Sequence, residues 1–165
     1  MSETTAASHP YGQAVSVEKV QASDQDFKAA LAYLLPQLSS SAAVPTDQQL
    51  GAILNSNNIS VFAAKLKVTE AGGTKIVGMI TVGYLNLITG KIALIEDVVV
   101  DDSARNRGVG KALVAAAISE SLEYNVKHVE LTSRPQRAAA NRLYEKMGFT
   151  QRETNVWRYR NNFYQ

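Results

Sequence analysis

The sequence predicts an α/β (α+β) domain built on a mixed, mostly antiparallel sheet. Three observations predict it. Strand-patterned runs at 59–69, 75–88 and 92–100 are joined by short turns, Glu70-Ala71-Gly72-Gly73 and Leu87-Ile88-Thr89-Gly90-Lys91, so they form an antiparallel meander. The third run, ending Val98-Val99-Val100, passes through a basic glycine turn into apolar positions at helical spacing: Leu113, Val114, Ala117, Ile118 and Leu122. A further strand at 126–131 follows that helix, which makes it a parallel neighbour of the strand before it.

Each element has a local reason. Residues 1–13 are small and polar with Pro10 and read as a flexible N-terminus, leaving 14–165 as a single domain. Residues 14–20 alternate as a first strand. Asp24 is an N-cap before Phe27, Leu31, Leu34 and Leu35, an amphipathic helix that Pro36 should end. After a loop at 39–45, Thr46 caps a short helix over 47–54. The meander follows, then a helix from 108 to about 124, the strand at 126–131, and a helix over 137–147 with Gly148 as its C′ glycine. Residues 149–150 and 155–160 are expected to supply the last strands. No repeat, low-complexity tract or linker interrupts the chain.

Composition narrows the function. At 165 residues the chain suffices for one domain with a substantial core. Hydrophobic content of 45% and charged content of 19% describe a soluble globular protein, and a net charge of +2 is too small to indicate nucleic acid. With no cysteine there is no disulfide framework and no thiol nucleophile, and two distant histidines, His9 and His128, argue against a metal site. No apolar run reaches membrane-spanning length, and no basic stretch followed by an apolar one opens the chain, so a cytoplasmic enzyme or binding protein is the default.

The turn between strand and helix carries the chemistry. A helix N-terminus presents unpaired N–H groups and partial positive charge. Gly108 and Gly110 let backbone approach a ligand, while Arg105, Arg107 and Lys111 add charge, so the turn reads as a cradle for a phosphate, most simply a diphosphate. It is neither of two common phosphate motifs. Gly110-Lys111 is followed by Ala112 with no glycine five residues earlier, and Leu113 stands where a dinucleotide fingerprint needs its third glycine. Just upstream, Glu96 and Asp97 interrupt an apolar strand. Adjacent strand residues face opposite ways, so in a sheet covered on both sides both cannot be at the surface. A buried carboxylate has its pKa pushed up, which suits a general base. An ion pair is the competing role, and for Asp97 it weighs equally.

Arg105-x-x-Gly108-x-Gly110 after a valine-rich strand resembles the acetyl-CoA pyrophosphate loop of the GNAT N-acetyltransferase superfamily. The stretch Ala140-Asn141-Arg142-Leu143-Tyr144-Glu145-Lys146-Met147-Gly148-Phe149 resembles that family's closing helix, and Ile95 to Val100 is most similar to the same strand of glucosamine-6-phosphate N-acetyltransferases. The resemblance implies a GNAT-like sheet with helices on both faces and two early helices bordering the acceptor. It implies acetyl-CoA as cosubstrate, held by Arg105, Asn106, Arg107, Gly108, Val109, Gly110 and Lys111 and by the backbone of Val98, Val99 and Val100. Asn141 and Arg142 are alternative contacts, because Arg137 stands where the family often has asparagine. Tyr144 would protonate the leaving thiolate, against a core role on the stripe Ala140, Leu143, Tyr144 and Met147. Glu96 would be the general base. Asp97, Tyr84, Thr132, Ser133 and Arg134 would line the acceptor site, against a core role for Tyr84 and a solvated loop for 132–134. His128 reads as structural or exposed, and the basic, aromatic tail 158–165 is too short to indicate RNA. The function implied is acetyl transfer to a primary amine of a small molecule by direct attack. A CoA-binding regulatory module without catalysis and a protein N-terminal or lysine acetyltransferase are the alternatives. A homodimer is compatible with the sequence, and the acceptor is unnamed.

Overall fold

Alternation in the meander builds two cores on one sheet. The structure, a computed structural model, describes residues 15–67 and 73–160. The elements are β1 (Ser16–Lys19), α1 (Gln25–Leu38), α2 (Asp47–Leu54), β2 (Ile59–Lys67), β3 (Thr74–Leu87), β4 (Gly90–Val100), α3 (Val109–Glu123), β5 (Val129–Leu131) and α4 (Ala138–Lys146), with a 3₁₀ turn at Asp102–Ala104. The five strands lie in sequence order. The β2–β3 and β3–β4 pairings are antiparallel and β4–β5 is parallel, as the sequence predicts, and β1 pairs antiparallel with β2.

Helices cover both faces. Phe27, Ala30, Leu31, Leu34 and Leu35 of α1 and Leu50 of α2 pack on Val61, Ala63, Ile76, Met79 and Val99. Val109, Leu113, Val114 and Ala117 of α3 pack on Phe62, Ala64, Val77, Ile80, Val82, Ala93 and Ile95 from the other side. Each large aliphatic or aromatic side chain fully buried this way contributes about 1.5–3 kcal/mol. The expected caps are present: the Asp24 side chain accepts from the Phe27 N–H, and Thr46 with Gln49 forms a reciprocal capping box.

Several boundaries differ from expectation. Pro36 lies inside α1, which runs two residues further, to Leu38. Near a helix C-terminus its missing N–H costs one bond rather than a ladder. The strand expected over 126–131 pairs only at Val129–Leu131. Residues 149–150 and 155–160 are not strands, and 151–160 are all exposed. Their β-prone residues meet no partner edge, and strand propensity without pairing leaves the backbone hydrogen-bonded to water. The parts of the reading that fall on 1–14, on 68–72 and on 161–165 lie outside the described residues.

Two features position the start of α3. A Cβ at Gly78 of β3 would sit 2.8 Å from the Val99 carbonyl oxygen and 3.1 Å from side-chain atoms of Leu113 and Val109, so glycine is what lets α3 lie close to the sheet. Asp101, buried after β4, accepts from the Ser103 N–H (2.9 Å) and hydroxyl (2.6 Å) and from Lys75 Nζ (3.2 Å). The Ser103 hydroxyl, working against burial and helped by the Ser103 N–H and Lys75, holds the Asp101 carboxyl below its usual range.

Gly78→Ala is expected to destabilise the fold by about 1–3 kcal/mol through overpacking, read as a lower denaturant midpoint with an unchanged slope. The Asp101 carboxyl titrates lower in the folded chain than in the unfolded one. Its contribution to stability is therefore present above about pH 4, the unfolded value, and is lost as pH falls through the folded value. Asp101→Asn is expected to be less stable at neutral pH and to show a flatter acid limb. An equally steep limb in that variant would remove Asp101 as a source of acid sensitivity.

Candidate active site

The site forms where β4 leaves its partners. Met79 is opposite Val99 and Thr81 opposite Glu96, so Asp97 and Val98 together oppose Ile80: a β-bulge. Asp97 takes a left-handed conformation there, φ 49°. The bulge inverts the side-chain alternation of β4. Ile95 packs in the α3 core, yet Val99, four residues on, packs in the α1 core, while Val98 and Val100 turn to the α3 side. The burial inferred for the acidic pair is therefore corrected. Glu96 and Asp97 are both exposed, because alternation in a regular strand does not hold across an inserted residue.

On the other edge, β4 and β5 pair only through Ala93–Val129, Leu94–Glu130 and Ile95–Leu131. Past that point a gap opens between the end of β4 and the loop after β5. Asp101 donates its N–H to the Val77 carbonyl at 2.8 Å. Strand alternation then turns the Val100 N–H to the opposite edge, toward the gap. In the loop beyond β5, Thr132 and Arg134 are exposed. The Ser133 hydroxyl oxygen is buried with no hydrogen-bond partner.

The basic turn follows. The Asp102 N–H donates to Gln37 Oε1 at 2.9 Å, tying the 3₁₀ turn to α1. Arg105 pairs with Asp102 at 2.5 Å on the surface, where such pairs contribute about 0–1 kcal/mol. Asn106 (φ 61°) and Gly108 (φ 79°) are left-handed, and Gly108 is the N-cap of α3 with no side-chain hydrogen bond to the helix. Val109 is buried and anchors the turn from beneath, while Arg105, Asn106, Arg107 and Lys111 are exposed. Gly110 has a different role from the one its spacing suggests. A Cβ there would lie 3.2 Å from Leu143 Cδ2 and 3.8 Å from Val100 Cγ2, so this glycine lets α4 and the end of β4 close on α3.

Helix α4 brings Tyr144 to this junction. Tyr144 is half-buried against the α3 core and meets Phe149 edge-on at 5.9 Å. Burial pushes its hydroxyl above the ordinary tyrosine value, with the Arg137 charge opposing. Asn141 is used structurally: its amide donates to the Arg134 carbonyl at 3.2 Å, which also accepts from the Arg137 N–H at 3.0 Å, bracing the loop between β5 and α4.

Tyr84 does not join the site. It is 3% exposed and donates to Glu120 Oε2 at 2.6 Å. Its ring stacks on Tyr124 at 4.1 Å. Its place is the α3 core, and the acceptor role is withdrawn. Lys19 pairs with the same Glu120 at 2.7 Å. Burial pushes the Glu120 carboxyl up, but Lys19, with Ser60 and Tyr84 beside it, outweighs that and holds it below the usual range. Spacing alone missed Asp101, Gln37, Lys75 and Gly78, whose partners are 21 to 65 residues away or, for Asp101, partly so.

Comparisons with known proteins agree with this architecture. A model of the acetyltransferase (GNAT) family matches residues 33–149. No curated protein sequence matches. Among solved structures, an aminoglycoside acetyltransferase from an uncultured soil metagenomic sample, in complex with trehalose, is 24% identical with a TM-score of 0.72, covering 89% of this chain and 95% of its own. Glucosamine-6-phosphate N-acetyltransferase from Arabidopsis thaliana is 23% identical with a TM-score of 0.71, covering 89% and 99%. Aminoglycoside N-acetyltransferase AAC(6')-Iy in complex with CoA is 18% identical with a TM-score of 0.70, covering 93% and 99%. These likenesses concern the fold, and with the family match over most of the sequence they place the chain in the GNAT family, as an N-acetyltransferase.

Proposed function

We propose that the chain moves an acetyl group from acetyl-CoA to the primary amine of a small cationic molecule by direct attack, with Glu96 as general base and Tyr144 as general acid. The observation that carries this reading is the bulge at Asp97–Val98, which coincides with the end of β4–β5 pairing and precedes the Gly108 turn by ten residues. The chain's groups fit an acyl-CoA. The left-handed Gly108 leaves the first N–H groups of α3 without a side-chain cap, Arg105, Arg107 and Lys111 supply positive charge beside them, and the orphaned Ser133 hydroxyl supplies a polar group at the gap. When bound, acetyl-CoA supplies an activated thioester.

Each protein group then has a stated task. The Val100 N–H, turned away from β3, is an available donor for an amide or carbonyl oxygen. Glu96 accepts the proton an ammonium must lose before its nitrogen can attack, directly or through a water. Tyr144 keeps its proton across the neutral range because desolvation raises its pKa, and so remains a donor for a departing thiolate. The exposed Glu96 and Asp97 make the acceptor side negative, which favours cations. Similarity to proteins named for aminoglycoside and glucosamine-6-phosphate acetylation supports a small-molecule amine over a protein surface.

Glu96→Gln is expected to lower kcat by about 100-fold or more while the Kd for CoA is unchanged. Free-thiol release across a panel of amines measures the first and calorimetry the second, and unchanged turnover would remove Glu96 as the base. Tyr144→Phe is expected to lower kcat by a similar factor. In the unmodified protein a Tyr144 acid predicts no alkaline loss of kcat below about pH 10, since the raised hydroxyl stays protonated there. Gly108→Val is expected to abolish CoA binding, because a β-branched residue resists φ 79° and the N-terminal turn of α3 must rearrange. Undiminished binding would remove the phosphate-turn reading.

A further inference from the structure

We propose that the acceptor amine carries an apolar body, an alkyl or arylalkyl chain, which lies on an uncovered apolar strip of the sheet formed by Gly83, Leu85, Ile92 and Leu94. The proposal rests on the acetyl-transfer reading in one respect: it takes Glu96 as the place of the ammonium. Residues opposite one another in an antiparallel pair point to the same face. Val61 is opposite Thr81, and Thr81 is opposite Glu96. Val61 packs in the α1 core, so Glu96 is on the face that α1 and α2 cover. That cover stops there. Next along the same face come Gly83 opposite Leu94, then Leu85 opposite Ile92. Among the described residues, Leu85, Ile92 and Leu94 pack against neither core. Leu85 is 43% exposed, Ile92 and Leu94 are half-buried, and a Cβ at Gly83 would meet nothing within 4 Å.

Spacing and chemistry together select the occupant. Successive same-face residues of a strand are about 7 Å apart, so the strip starts about 7 Å from Glu96 and extends to about 14 Å. Its near end is anionic, with Glu96 and Asp97 exposed. Beyond that end Gly83, Leu85, Ile92 and Leu94 offer no side-chain hydrogen-bonding group, and the backbone beneath them is committed to β3–β4 pairing. The polar pair Asn86 and Lys91 falls on the opposite face by the same alternation. An ammonium suits the first part and an apolar body the second. A polyhydroxylated amine of the same length would lay hydroxyls over Leu85, Ile92 and Leu94, where they find no partner, and a desolvated hydroxyl without a hydrogen bond is unfavourable. Negative charge at one end, continuous with the proposed base, favours a small amine over a protein partner.

The test uses the full chain with CoA bound. Calorimetry with unbranched amines from ethylamine to octylamine should show Kd falling about twofold per added methylene, half the effect of a methylene buried on all sides. Phenethylamine should bind more tightly than ethylamine, and glucosamine about tenfold or more weakly than hexylamine. Free-thiol release from acetyl-CoA should give the same order in kcat/KM. Leu94→Ser should flatten the dependence on chain length while the Kd for CoA is unchanged. If that variant does not fold, Leu85→Gln, at an exposed position, should weaken octylamine more than ethylamine. Graded binding without thiol release supports the strip and overturns the acetyl-transfer reading. Thiol release that is fastest with glucosamine, or independent of chain length, overturns the strip and leaves that reading standing. Neither binding nor release with any amine overturns both. A flat response together with a dimer that Leu85→Gln dissociates also overturns the proposal, because a second copy would then cover the strip.

Discussion

The inserted residue in β4 is the constraint on which the rest depends. A regular strand would send Ile95, Asp97 and Val99 to one face and Glu96, Val98 and Val100 to the other. With Asp97 and Val98 together opposite Ile80, Val99 serves the α1 core and Val98 and Val100 the α3 core. One strand thus belongs to two cores in the span where its pairing with β5 ends. Holding Asp97 at φ 49° costs about 1–3 kcal/mol, a strain the two surrounding cores can hold in place. What results is an exposed pair of carboxylates and an open strand edge side by side.

The turn that follows is held from three directions. Asp101 and Lys75 tie it to β3, Gln37 ties it to α1, and Gly78 lets α3 close on the sheet. Gly108 and Gly110 look equivalent in sequence and are not. Gly108 is needed for its backbone conformation at the helix cap, Gly110 for the approach of Leu143 and with it α4. The second glycine therefore couples α3 to α4, the helix that carries Tyr144.

Reading the sequence succeeded where a signal is local. The Thr46 capping box, the Gly90 and Gly148 turns, and the hairpin order of β2, β3 and β4 each rest on short local signals, and the parallel β5 follows from the helix that connects it to β4. It failed where the deciding partner is remote. Tyr84 looked like a pocket residue because nothing near it in sequence reveals Glu120 and Tyr124. The bond from Asn141 to the Arg134 carbonyl was equally invisible, because it depends on how the loop before α4 folds back. Residues 155–160 have the composition of a strand, but a strand is defined by its neighbour, and this chain's own β5 does not receive them.

By itself the sequence determined the fold class and the order of β2 to β5 and marked the glycine turn before α3, because hydrophobic period, turn residues and helix-end chemistry are properties of short segments. It also marked Glu96 and Tyr144 as the residues to test. The tertiary structure alone decided which of the marked residues are exposed, which glycine serves backbone conformation and which serves packing, and where the sheet opens. Those outcomes depend on one bulge and on contacts between distant elements, and residue spacing carries no record of either.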